Sequence, residues 1–97
     1  MTRTIALRIL THEGLVLEEP AGSIIAPGEP GYLGILANHA PLVTTLRPGR
    51  LTWRRPDGSR QRMTVGAGLL EISRNRCTVL TDEVSTPAPV SQPREAL

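Results

Sequence analysis

WRRPDGSRQRMTV, residues 53–65, is the stretch whose reading decides the fold. Pro56-Asp57-Gly58 is a strong reverse-turn triplet. Proline presets φ, the aspartate side chain accepts nearby backbone hydrogen bonds, and glycine takes a positive φ without strain. The flanks alternate in register. Leu51 and Trp53 share one face of the first arm, and Met63 and Val65 share one face of the second. Arg50, Thr52 and Arg54 take the opposite face, as do Arg60, Arg62 and Thr64. A period of two on both sides of a turn reads as a β-hairpin, here apolar inside and basic outside.

The same alternation runs through the rest of the chain. Thr4 to Thr11 (TIALRILT) puts Ile5, Leu7 and Ile9 on one face. Leu15 to Glu18, Ser23 to Ala26, and Leu42 to Leu46 are further short runs, broken by His12-Glu13-Gly14, Pro20-Ala21-Gly22 and Pro48-Gly49. LLEIS (69–73) turns at Arg74-Asn75 into RCTVL (76–80), a second hairpin. In LLEIS, the alternation sends Glu71 outward, between Leu70 and Ile72. About eight short strands at this spacing, with no segment of helical period, predict an all-β fold, a sandwich or a barrel. Residues 1–84 form the expected domain. From Ser85 the composition changes to STPAPVSQPREAL, which has three prolines and little to bury, and the expectation for 85–97 is a frayed tail.

Composition bounds the function. Ninety-seven residues hold one modest core, and that core is aliphatic, because Phe is absent and Tyr32 and Trp53 are the only aromatics. All eleven basic residues are Arg, and the net charge of +2 is too small by itself to argue for nucleic acid. Cys77 is alone, so no internal disulfide forms. The N-terminus lacks the long apolar core of a signal peptide, and no apolar run approaches 18 residues.

Catalytic signals are weak. His12 and His39 have no Cys or His at metal-ligand spacing, so no metal site is expected. Cys77 sits inside an alternating strand as a small hydrophobe. His39 reads as a residue that orders its loop through a hydrogen bond. The chain has no Lys, so GEPGYLG is not a Walker loop, and no helix signal follows it as a Rossmann turn requires. No catalytic residue and no cofactor site are expected. The arginines at 47, 50, 54, 55, 60 and 62 read as a solvated outer sheet face. The alternative is a small β-domain binding RNA through that face, but RNA-binding sheets offer stacking aromatics, and here Trp53 points with the apolar side.

GEPGYLGILANHAPLVTTLRPG, residues 28–49, carries the functional signal. Gly28, Gly31, Leu33-Gly34-Ile35, His39-Ala40-Pro41-Leu42, Thr44 and Pro48-Gly49 resemble the epsilon subunit of F-type rotary ATP synthases. GAGLLEI (66–72) and CTVLTDE (77–83) resemble two further strands of that family, in the same order. The resemblance covers residues 4 to about 84. It implies a two-sheet antiparallel β-sandwich, one of the two all-β forms that the periodicity leaves open. It also implies a non-catalytic subunit of the rotor's central stalk, peripheral on the cytoplasmic face of the bacterial inner membrane. The implied partners are the gamma subunit and the ring of c subunits, with neither nucleic acid nor membrane insertion; the gamma-binding face is not implied. By position, Tyr32, Leu33, Ala37, Asn38 and His39 are the expected ring-facing residues. Three departures stand out. The family's C-terminal helical hairpin, which can inhibit ATP hydrolysis, has no counterpart before Leu97, as expected of a short epsilon such as that of sodium-translocating N-ATPases or, alternatively, of an N-terminal fragment of a longer chain. Tyr32 stands where the family often has an acidic residue. Asn38 replaces the glycine before His39, and Asn tolerates left-handed backbone better than most residues.

Overall fold

A computed structural model describes residues 3–86. The expected tail falls almost wholly on residues 87–97, which lie outside the described residues. Among the described residues every regular element is a strand. In chain order these are β1 (Ile5–Thr11), β2 (Gly14–Ala21), β3 (Ser23–Gly28), β4 (Gly31–Leu36), β5 (Leu42–Leu46), β6 (Gly49–Arg54), β7 (Arg60–Val65), β8 (Gly68–Ser73), β9 (Arg76–Thr81) and β10 (Val84–Ser85).

The strands fall into two five-stranded layers. One has the order β10-β7-β6-β3-β4 and the other β5-β8-β9-β1-β2. A single register pair, Gly28 opposite Leu46, joins them into one continuous curled sheet. Hydrogen bonds from Arg47 N to Pro27 O (3.0 Å) and from Glu29 N to Thr45 O (2.9 Å) close the same seam. Of the two forms that the alternation allows, the fold is therefore the sandwich that the resemblance implies, with two differences of detail. The layers share that one bridge, and β1 runs parallel to β9, while every other pair is antiparallel. The reason is topological: β8 and β9 form a hairpin, and β1 reaches the free side of β9 from the far end of the chain.

The expected hairpin forms at β6–β7, with Leu51 opposite Met63 and Arg54 opposite Arg60. Gly58 N donates to Arg55 O at 2.8 Å, and Gly58 takes φ 92°, a value only glycine adopts cheaply. Asp57 receives both the backbone N–H (2.8 Å) and the hydroxyl (2.7 Å) of Ser59, and these bonds hold its carboxyl below the usual range.

Alternation places one face of each layer inward. Ile5, Leu7 and Ile9 from β1, Ile24 from β3, Ile35 from β4, Leu51 from β6, Leu70 and Ile72 from β8, and Val79 from β9 are essentially inaccessible to water and make one cluster. Trp53 and Met63 join it, each 5% exposed. Cys77 is buried in the same cluster, and burial pushes its thiol up to about 12, which removes it as a nucleophile at neutral pH.

One polar device ties the layers together. Glu19 lies on β2, in the second layer. It accepts a hydrogen bond from Nε1 of Trp53, on β6 of the first layer (2.6 Å), and pairs with Arg55, the residue just after β6 (2.9 Å from Nε). The Arg55 hydrogen bond, followed by the Trp53 bond, holds the Glu19 carboxyl below its ordinary value of 4.5 against the opposing effect of burial. A depressed folded-state pKa contributes stability that is present above the unfolded value and lost as pH falls through the folded one. Glu19→Gln is therefore expected to lower the melting temperature at pH 7. It should also flatten the acid limb of the stability profile below about pH 4.5. Melting curves from pH 7 to 2.5 check this; parallel profiles for the two proteins would show that the carboxylate does not act as described.

Candidate functional site: two ends of β4 and a leucine row

The sequence reading gathers Tyr32, Leu33, Ala37, Asn38 and His39 into one ring-facing surface. The structure divides them. Tyr32 and Leu33 stand at the start of β4, whereas Ala37, Asn38 and His39 follow its end. Five residue steps at the strand rise put about 17 Å between Tyr32 and Ala37. The five residues form two clusters at opposite ends of one strand. The stretch between them is extended because it pairs with β3 along its length, from Gly28 opposite Gly31 to Ser23 opposite Leu36.

At the first end, Tyr32 is 62% exposed. Its hydroxyl accepts a hydrogen bond from Arg50 N at 3.3 Å, which anchors the ring's tip at the start of β6 while leaving its face in solvent. Tyr32 and Leu33 line a shallow groove of about 300 Å³ with Pro30, Leu42 and Thr44. Glu29, in the adjoining turn, accepts the Thr45 hydroxyl proton.

At the second end, His39 N donates to Leu36 O at 3.2 Å, closing a turn with Ala37 and Asn38 in its middle. Asn38 has φ 64°, so the left-handed residue that this turn requires is supplied by asparagine. Asn75 fastens the turn: its Oδ1 accepts from Asn38 N (2.7 Å), and its Nδ2 donates to Thr4 O (2.9 Å). The His39 ring Nδ1 lies 2.7 Å from Ala40 O, and since a carbonyl only accepts, that nitrogen carries the proton. His39 thus orders its own loop, as the sequence reading has it.

Two features escaped the sequence reading. Asn75 was read as a turn residue only, and its two cross-chain bonds have no local signature. The second feature is half legible: Leu10, Leu69 and Leu80 are apolar residues at outward positions of alternating strands. In the structure they form a row across the outer face of the second layer. Leu69 lies opposite Leu80, Leu80 opposite Leu10, and Leu10 opposite Leu15. A bulge between Ile9 and Leu10 makes the last pairing, since Ile9 opposes Leu17 and Leu10 opposes Leu15, leaving Val16 over. Leu69, Leu80 and Leu15 are 42–52% exposed, and Val16 is exposed beside them. The neighbouring row is polar: Glu71, Thr78, Arg8 and Glu18 follow one another across the same strands. Glu71 is exposed, as alternation requires.

A contiguous apolar row with a polar flank is the anatomy of a protein-docking face. Burial removes Cys77 as a nucleophile and His39 is bonded within its own loop, so the leucine row and the two ends of β4 are taken as the candidate contact surfaces. Comparison with known proteins gives the family. The family model for the β-sandwich domain of the ATP synthase delta/epsilon chain matches residues 4–87. The chain belongs to that family. It is 45% identical over 76 residues to the ATP synthase epsilon chain of Moorella thermoacetica, covering 78% of this chain and 57% of that one. It is 34% identical over 92 residues to the epsilon chain of Rhodospirillum rubrum, covering 95% and 69%. The chain thus spans between about half and two-thirds of the length of such relatives. Its fold superposes on a chain of the Euglena gracilis mitochondrial ATP synthase with a TM-score of 0.81 at 24% identity, over 86% of this chain and 53% of the other. No helix of the described residues is long and apolar enough to cross a membrane.

Proposed function

We propose that this domain is a non-catalytic coupling element of the rotor's central stalk in an F-type ATP synthase or ATPase. It binds the gamma subunit, docks on the ring of c subunits, and so passes torque between ion translocation and nucleotide chemistry. It does so as a peripheral subunit on the cytoplasmic face of the bacterial inner membrane. The observation that carries this reading is the exposed leucine row. Four leucines in register on four neighbouring strands have no purpose in an isolated domain, and an obligate partner of apolar surface would cover them. We assign that row to gamma. Membership of the delta/epsilon family supports the stalk reading, and the choice of face rests on the row alone.

The ring contact is proposed at the start of β4, through Tyr32 and Leu33. Tyr32 presents a rigid amphipathic ring already pinned at its hydroxyl, which limits the entropy lost on docking. Ala37, Asn38 and His39 join the contact if β4 lies along the ring surface, so that both of its ends touch. Tyr32→Ala is expected to weaken association with purified c-ring by about five- to thirtyfold, the range of an interface aromatic. Its melting temperature should stay near that of the parent protein, because the side chain is exposed. Unchanged ring binding by the variant would remove Tyr32 from the contact.

A further inference from the structure

The outer face of the first layer has a character of its own. Its five strands, β3, β4, β6, β7 and β10, contain no Asp or Glu, yet β6 and β7 carry four arginines on their outward side. Arg54 lies directly opposite Arg60, while Arg62 opposes Thr52 and Arg50 opposes Thr64. All four are exposed. None takes part in the ion pairs of the described residues, which are Arg8–Glu18, His12–Glu13 and Arg55–Glu19. Asp57, the acid of the adjoining turn, is occupied by Ser59. Like charges directly across a ladder repel, so this face carries an uncompensated positive field that the fold itself does not need.

The face is also concave. The four arginines, with the hydroxyl-bearing Ser23 and Thr52 and the exposed Ile25, line a cleft of about 470 Å³. That is the size of a small-molecule site. We propose that the cleft binds a small compound bearing adjacent phosphate groups, gripped chiefly by the guanidinium groups of Arg54, Arg60 and Arg62. The planar guanidinium fork matches phosphate oxygens in pairs. Cross-strand neighbours about 5 Å apart and diagonal neighbours about 7–8 Å apart suit charges borne on one short chain. A single-stranded nucleic acid is less well served. Its bases need aromatic platforms, and Trp53 is turned inward and bonded to Glu19. On the free edge of β7, β10 pairs with Thr64 and Val65 only, so a peptide strand has no more than the four residues Arg60–Met63 to pair with.

Isothermal titration at fixed ionic strength tests this with sodium tripolyphosphate and, separately, metal-free ATP. The titrated proteins are the full 97-residue chain, the double variant Arg54→Gln/Arg60→Gln, and Arg76→Gln on the other layer. One-to-one binding of tripolyphosphate is expected. It should be at least about tenfold weaker in the double variant, since two charge-assisted contacts are lost, and unchanged in Arg76→Gln. ATP binding tighter than tripolyphosphate would identify a nucleotide as the source of the phosphates, and the reverse order would identify free polyphosphate. A melting temperature of the double variant equal to or above the parent's shows that it is folded. Absence of binding at millimolar ligand, or equal binding by the double variant, would overturn the proposal. So would tighter binding of a ten-nucleotide uridine oligomer that depends on Arg54 and Arg60, which would assign the face to nucleic acid.

Discussion

Trp53→Ala is expected to destabilise the domain by about 3–5 kcal/mol, the range for removing a large buried aromatic. The indole is the largest side chain of the core and is 5% exposed. Its loss leaves a cavity between the layers, where two close-packed faces meet with few means to collapse. It also removes the Nε1 donor from Glu19, which then keeps only its Arg55 partner. A domain of this size has about 5–15 kcal/mol to lose, so the variant should melt far earlier and sit close to the folding threshold. Trp53→Phe separates the two effects. It keeps most of the packing and loses only the hydrogen bond, so about 1–2 kcal/mol is expected. Urea unfolding of the three proteins checks the order. If the alanine variant lost less than the phenylalanine variant, Trp53 would not be the keystone of the inter-layer core.

Leu80→Asp carries the second large effect, on binding and not on folding. Leu80 is the centre of the leucine row, flanked by Leu69 on β8 and Leu10 on β1, and is 49% exposed. On the free domain a carboxylate there meets water, and an exposed strand position of this kind costs at most about 1 kcal/mol. In a complex with gamma the same carboxylate is buried in an apolar contact without a partner. Central interface positions of this type are worth about 2–4 kcal/mol, a loss of roughly thirty- to several-hundred-fold in affinity. Arg62→Gln, on the opposite layer, should leave gamma binding unchanged. Titrating immobilised gamma with the three proteins reads the difference. A Leu80→Asp affinity within a factor of two of the parent's would move the gamma contact off this face.

Most of the fold is legible in the sequence, because alternation and turn chemistry act locally. Pro56-Asp57-Gly58 and Arg74-Asn75 mark two of the hairpins, and Ile5, Leu7, Ile9, Trp53, Met63 and Val65 are buried as their register requires. What was illegible is non-local or diluted. β4 contains Gly31 and Gly34, which weaken its strand signal, and its extended form depends on pairing with β3. β10 is two residues long and exists by pairing Val84 with Val65 and Ser85 with Thr64, so the sheet runs one residue past the expected end of the domain at 84. Pro20 reads as a breaker, yet lies within β2, because β2 is an edge strand and its proline has no ladder bond to lose on the open side. The parallel pairing of β1 with β9 joins segments some 70 residues apart and leaves no trace in either.

The site was legible in part. The Leu-Gly-Ile and His-Ala-Pro-Leu blocks led to the right family, and the residues that the resemblance gathers into one ring-facing set stand at the two ends of β4. The extension of β4 is what moves Tyr32 away from Asn38. The leucine row required both outward alternation and cross-strand register, and only the first is written along the chain. Leu15 is the clearest instance: it reaches the row through a bulge, which no simple period of two anticipates.

Co-elution tests the central claim most directly. The chain is mixed with the gamma subunit of the same organism and run on size-exclusion chromatography at low and at moderate salt. A one-to-one complex that survives the added salt is the predicted result, because an apolar contact is not screened by ions. Separate elution of the two proteins, with gamma shown to be folded, would contradict it and confine the likeness to the fold.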